Sequence, residues 1–237
     1  MKRKIAVITG TRADYGIFYY VLKEIEKHED LDLKLIVCGM HLCPEYGMTV
    51  NEIEKDGFDI ADKFETILAS DTGASMAKSI GLSIISMAQS FDRIKPDLLL
   101  ILGDRGEMLA AATAAIHMNI PVAHIHGGEV TGTVDESVRH AITKLSHIHF
   151  PANEDSKQRI IKLGEKEKNI YVVGAPGLDY IKKTQYISRS EMLKRFELED
   201  DKIFLLTQHP VTTERDMVEC QIRSEERRVG KECPRCV

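Results

Sequence analysis

Residues 96–104, PDLLLILGD, limit the possible folds more than any other stretch of this chain. Leu98 to Leu102 are apolar without interruption, between Pro96 and Gly103. A strand with one wet face alternates apolar and polar residues. A strand that is apolar throughout has to be covered on both faces, as inside a parallel sheet. KIAVITG (4–10), LKLIVCG (33–39) and IPVAHIH (120–126) have a similar form. Apolar residues at helical spacing fill the intervals at 15–29, 47–57, 73–95 and 107–119, and recur at 135–146. Shorter strand patterns lie at 147–153 and 169–177. Repeated strand–helix units predict an α/β fold, a doubly wound parallel sheet with helices on both faces. Its working loops then lie at the carboxyl ends of the strands.

The chain has 237 residues and a net charge of −5, with basic residues scattered along it. That balance argues against a nucleic-acid partner, though not against a local basic pocket for an anion. No apolar run reaches the roughly 20 residues of a membrane span, so no membrane partner is expected. The opening MKRKIAVITG is basic and then apolar, but its apolar part stops at Gly10 and reads as a first strand rather than a signal peptide. A cytoplasmic location follows as the expectation, with Cys38, Cys43 and Cys220 as free thiols.

Helical patterning continues from about 177 to 197, and KIFLLTQHP (202–210) starts a new strand after the charged ELEDD. We read this as the opening of a second α/β domain. RSEERRVGKEC (223–233) then breaks with everything before it, being charge-dense with no apolar face. It is also the residue-for-residue translation of a common sequencing adapter. The natural chain is therefore expected to end near Ile222, with a non-native tail after it and most of the second domain missing. Cys233 and Cys236 form a lone CxxC, without the second ligand pair of a structural zinc site.

Four polar clusters fall at strand ends. TGTRADYG (9–16) has the position of a phosphate loop but neither GxGxxG nor GxxxxGK[ST]. Arg12 offers a charged fork to an anion beside backbone N–H groups at a helix start; an ordinary turn with a solvated Arg–Asp pair fits the spacing equally well. In LGDRGE (102–107), Asp104 sits where aspartate commonly caps a helix, and where a catalytic carboxylate would also sit. Arg105 is a second anion contact. In AHIHGGEVTGTVDESVRH (123–140), His124 and His126 fall on one face of a strand. That spacing permits two metal ligands with Glu129 as a third, although core or strand-end histidines are commoner. Gly127 and Gly128 allow a ligand close to the backbone, or a sharp turn. In TQHPVTTE (207–214), His209 follows the first strand of the second domain. Two arginines, several carboxylates and a histidine suit a phosphorylated substrate and general acid–base chemistry.

These clusters, together with GMHL…YGMTVNEI, LGE and VVGAPGLD, run in consistent order from about residue 3 to 218. They resemble the hydrolysing UDP-N-acetylglucosamine 2-epimerases, most closely the branch of sialic-acid biosynthesis. The resemblance implies two Rossmann-like domains in a GT-B-like arrangement with the active site between them. Residues 1–185 form the first, 186–201 a linker or helix, 202–222 the start of the truncated second, and 223–237 the tail. It implies UDP-N-acetylglucosamine as substrate, no cofactor, no metal, and a homo-oligomer when full length. UDP is eliminated across C1–C2 to leave a 2-acetamidoglucal. Water then adds with inversion at C2, releasing N-acetylmannosamine.

By motif, the family's catalytic positions fall on Asp104, Asp135 and His209, the last near the pyrophosphate. The nucleotide-sugar contacts fall on Arg12, Ala13 and Arg105, with His209. Many relatives read HIEGGE, with a catalytic glutamate where this chain has His126. Either His126 takes that role or Glu129, three residues on, substitutes. A GT-B-type glycosyltransferase shares the two-domain plan but not the four clusters in order. An inactive amino-terminal fragment is the non-enzymatic alternative. Related enzymes act on N,N′-diacetylbacillosamine nucleotides.

Overall fold

The structure is a computed structural model that describes residues 2–205 apart from 71 and 133, together with Thr207, Met217 and Cys220. Six strands form one parallel sheet: β1 (Arg3–Thr9), β2 (Leu31–Cys38), β3 (Ile60–Phe64), β4 (Leu98–Leu102), β5 (Val122–Ile125) and β6 (Ile148–Phe150). Their order is β3-β2-β1-β4-β5-β6. The chain starts at the centre, winds out to β3, then returns to lay β4 on the other side of β1. The reversal leaves a crevice outside the carboxyl ends of β1 and β4, where ligands of such sheets bind.

The strands carry two interleaved sets of side chains. Ala6, Ile8, Ile36, Leu99, Ile101 and Val122 face one layer, with Met87 and Phe91 of α3 (Gly73–Ile94), the alanines of α4 (Gly106–His117) and Ile142 of α5 (Val134–Leu145). Ile5, Val7, Leu35, Val37, Leu100 and Leu102 belong to the other cluster, with Phe18 and Leu22 of α1 (Arg12–Lys27) and Ile53 of α2 (Val50–Lys55). The uninterrupted apolar runs are thus explained: alternate residues fill two cores, and neither face is wet.

The doubly wound sheet is as expected, with three local differences. β3 was not foreseen; it is an edge strand of alternating exposure, IADKF, carrying Asp62 and Lys63. A short helix, α6 (Glu154–Lys162), follows β6, capped by Asn153 through Ser156 N–H at 2.9 Å; its polar sequence hides it. The strand expected at 169–177 is reduced to one bridge, Ile170 to His149, with Tyr171 and Val173 N–H donating to His149 and Pro151 carbonyls. Pro176 then opens the way to α7 (Gly177–Lys183).

Residues up to Lys183 make one compact unit and those from Thr184 a second. The second contains α8 (Arg189–Arg195), capped by Ser188 and tied at its start by the Arg189–Asp200 ion pair at 2.9 Å. Lys202–Leu205 take no regular secondary structure. Apart from Thr207, the rest of the strand expected at 202–210 lies outside the described residues. Among the described residues no helix is long and apolar enough to cross a membrane.

Candidate active site

After β1 the chain turns into α1 through a closed capping box. Asp14 accepts from the backbone N–H groups of Gly10 and Thr11 at 2.8 and 2.9 Å, and its other oxygen takes the Thr11 hydroxyl. Thr11 Oγ1 accepts in return from Asp14 N–H. The carboxylate is 4% exposed. It occupies the positive end of the helix and takes the N–H groups of Gly10 and Thr11. Arg12 and Ala13 lie exposed on the first turn, and among the described residues Arg12 has no hydrogen bond or ion pair.

The β2 end is held to β1 by a residue the sequence did not single out. His41 is buried between Thr9 and Thr49, with ring nitrogens 2.9 and 2.7 Å from their hydroxyls. Burial holds its pKa below the ordinary histidine value.

At the β4 end, Asp104 does not cap α4. The N-cap is Arg105, with no side-chain cap bond. Asp104 instead pairs with the guanidinium of Arg139, from α5. Arg139 is 5% exposed and also donates to the Glu129 carbonyl at 3.0 Å. Its burial lowers its pKa, and the carboxylate compensates a charge that would otherwise be costly there. Arg139 was missed by sequence reasoning, though a signal existed. Its position shares a helical stripe with Ile142 and Thr143, both fully buried. An arginine on a core-facing stripe calls for a buried anion.

The two histidines after β4 separate sharply. His124 is fully buried, with Nε2 2.7 Å from the Gly103 carbonyl and Nδ1 3.3 Å from the Thr143 hydroxyl. Since a carbonyl only accepts, Nε2 carries the proton and the ring is neutral. Burial pushes its pKa down to about 4. Both nitrogens are engaged, so the HxH pair is not a pair of ligands. β5 ends at Ile125, and His126 takes φ 61°, in the left-handed region that costs a non-glycine residue about 1–2 kcal/mol. The strand alternation stops there. His126 Nδ1 instead lies 3.5 Å from Glu129 Oε1, while Nε2 is buried and has no hydrogen-bond partner among the described residues.

The next glycines serve packing. A Cβ on Gly128, which has φ +80°, would lie 2.3 Å from the Ser156 carbonyl oxygen. That backbone seats the loop against α6. Glu136 folds back to accept from Thr131 and Gly132 N–H at 2.9 and 2.8 Å, bonds that lower its pKa. Asp135 is half-buried in the first turn of α5. The structure therefore brings Asp104 and the Glu129 backbone carbonyl together at Arg139, and places His126 beside the Glu129 carboxylate. Arg105 stands beside Asp104, its Nε 3.4 Å from Glu107 Oε2. His209 lies outside the described residues.

A sequence model of the UDP-N-acetylglucosamine 2-epimerase family matches residues 23–232. The chain belongs to that family. It is 53% identical over 225 residues to the UDP-N,N′-diacetylbacillosamine 2-epimerase (hydrolyzing) of Legionella pneumophila, covering 94% of this chain and 60% of that one. It is 40% identical over 212 residues to a UDP-N-acetylglucosamine 2-epimerase of Neisseria meningitidis serogroup B, covering 90% and 55%. The solved structure of UDP-N-acetylglucosamine 2-epimerase from Rickettsia bellii superposes with a TM-score of 0.75 at 20% identity, covering 96% of this chain and 60% of that one. That likeness shows the fold. The chain spans little more than half of these relatives. The family match also runs into the stretch read as a tail.

Proposed function

We propose that the chain is the amino-terminal part of a hydrolysing UDP-sugar 2-epimerase, holding the proton-transfer groups of its cleft. One observation carries this: Asp104 pairs with the buried Arg139, which also donates to the Glu129 backbone carbonyl, and the Glu129 carboxylate lies 3.5 Å from His126 Nδ1, beside the crevice that the strand order opens. His126 takes the C2 proton at Nε2, which is buried and without a hydrogen-bond partner among the described residues and is turned toward the substrate when it binds. Glu129 at Nδ1 stabilises the imidazolium so formed. The C1–O bond breaks and its electron pair leaves with UDP. Water then returns a proton to C2 on the opposite face and hydroxide to C1. Arg139 pairs with Asp104 and aims it, and Asp104 and Asp135 serve the addition of water. Arg12, Ala13 and Arg105 meet the nucleotide sugar, with His209 arriving from the second domain near the pyrophosphate.

The higher identity, 53% against 40%, favours an N,N′-diacetylbacillosamine nucleotide as substrate. UDP-N-acetylglucosamine, giving the N-acetylmannosamine of sialic-acid biosynthesis, is the second reading and rests on the motifs. Under either, residues 1–185 are the first domain, 186–201 the linker, 202–222 the start of the second and 223–237 a non-native tail. The whole protein works in the cytoplasm as a homo-oligomer. A cleft lacking one wall loses substrate positioning and water exclusion. The chain alone is therefore expected to be inactive, and a copy extended with a relative's carboxyl-terminal part active. NMR in D2O with each nucleotide sugar checks this through UDP release, the free epimer and deuterium at C2. UDP release only with an acceptor sugar present would overturn the reading in favour of a glycosyltransferase.

A further inference from the structure

Glu107, in the first turn of α4, is placed unlike an ordinary helix-start carboxylate. Such residues act well from solvent, yet this side chain is only 13% exposed. It lies across the backbones of two other strand ends. A Cβ on Gly39 would stand 2.8 Å from its Oε1, and one on Gly10 would stand 3.2 Å from its carboxyl carbon. Gly39 has φ +61° and needs glycine for its backbone as well. Gly10 does not have a positive φ, so its missing side chain makes room for Glu107. Among the described residues the cation at this carboxylate is Arg105, with Nε 3.4 Å from Oε2. That Nε is buried and makes no hydrogen bond among the described residues, so the contact is ionic, and Arg105 Nη2 lies 4.0 Å from Met40 Sδ.

We infer that Glu107 is a positioning residue. Braced on Gly10 and Gly39, it draws Arg105 by charge from the Nε side, without a hydrogen bond there, and so orients the remaining N–H groups toward the diphosphate of the nucleotide sugar. This deepens the epimerase reading and rests on it for the ligand. A planar guanidinium binds phosphate well when its rotamer is set beforehand, because less freedom is then lost on binding.

The test is a double-mutant cycle on UDP affinity by calorimetry, with KM and kcat for the chain extended by a relative's carboxyl-terminal part. Glu107→Gln keeps the shape and removes the charge. It should weaken UDP binding and raise KM about five-fold, with kcat within about two-fold. In an Arg105→Ala background the same change should alter UDP affinity by less than about two-fold. Gly10→Ala, which pushes on the carboxyl group, should weaken UDP binding in the same direction, and circular dichroism checks that each variant is folded. Independent effects of Glu107→Gln and Arg105→Ala overturn the inference. So does a loss of kcat with a shifted pH profile, which would make Glu107 an acid or base itself. If UDP binds and the cycle is coupled but no sugar turns over, the epimerase reading fails and the positioning role stands. If the unmutated protein does not bind UDP, both fail.

Discussion

The turn after β1 and the turn after β4 leave neighbouring strands, lead into helix N-termini, and each hold an aspartate and an arginine within a few residues. In the first turn, Asp14 is consumed by its own backbone and Thr11. In the second, Asp104 is claimed by a buried arginine from another helix, and the N-cap carries no side-chain bond. An aspartate at a strand end is thus not a site by position alone. Asp104 is the candidate of the two, because its partner is a charge brought by a distant element and its own helix start is left open. The largest expected effect follows. Asp104→Asn in the extended, active chain should lower kcat about 1,000-fold, measured by UDP release. A loss of less than three-fold would erase the distinction between the two turns.

His124 and His126 repeat the contrast inside one loop. His124 is buried neutral, with its pKa near 4, against about 6.5 for an unfolded histidine. Below pH 6.5 the unfolded chain binds a proton that the folded chain refuses, so folding stability falls as the pH is lowered. The loss runs between pH 6.5 and about 4 and amounts to about 3 kcal/mol from this residue. His41 and His149, whose pKa values are also lowered by burial, add in the same direction. Urea unfolding at a series of pH values should show the slope, and His124→Asn should flatten it. An unchanged slope would remove His124 from the core in any energetic sense.

Much of the architecture was legible because a parallel sheet announces itself: Leu98–Leu102 cannot lie on a one-sided strand. β3 was not legible, since an edge strand with Asp62 and Lys63 looks like a loop. The site divided in the same way. Asp104, His126 and Glu129 were readable as residue types at strand ends. The part of Arg139 was not, because it reaches Asp104 across 35 positions of sequence. Nor could the spacing of His124 and His126 reveal that the strand stops between them, since that depends on one residue entering positive φ. Nor was it legible beside Arg12 that Asp14, three residues after Thr11, completes a capping box and takes the Gly10 and Thr11 N–H groups.

That capping box gives the next effect. Asp14→Ala leaves the N–H groups of Gly10 and Thr11 unpaired inside a buried turn and should cost about 2 kcal/mol of unfolding free energy. Turnover of the extended chain, assayed well below its melting temperature, should stay within about three-fold. A variant that kept its stability and lost its activity would mean that Asp14 faces the substrate, and the two turns would then be alike.

Arg12 sharpens the comparison most finely. It is the one charged group of the β1 turn that the turn does not use, exposed beside a helix end already neutralised by Asp14. It therefore contributes its own charge through long, solvated contacts, without help from the Gly10 and Thr11 N–H groups that Asp14 holds. Arg12→Ala should raise KM for the nucleotide sugar about three- to five-fold, roughly 1 kcal/mol, with kcat and the urea midpoint unchanged. The effect should fade at high salt, as exposed ionic contacts do. A loss that persists at high salt, or one as large as that of Asp104→Asn, would mean that the first turn rearranges around its ligand and releases the groups Asp14 now holds.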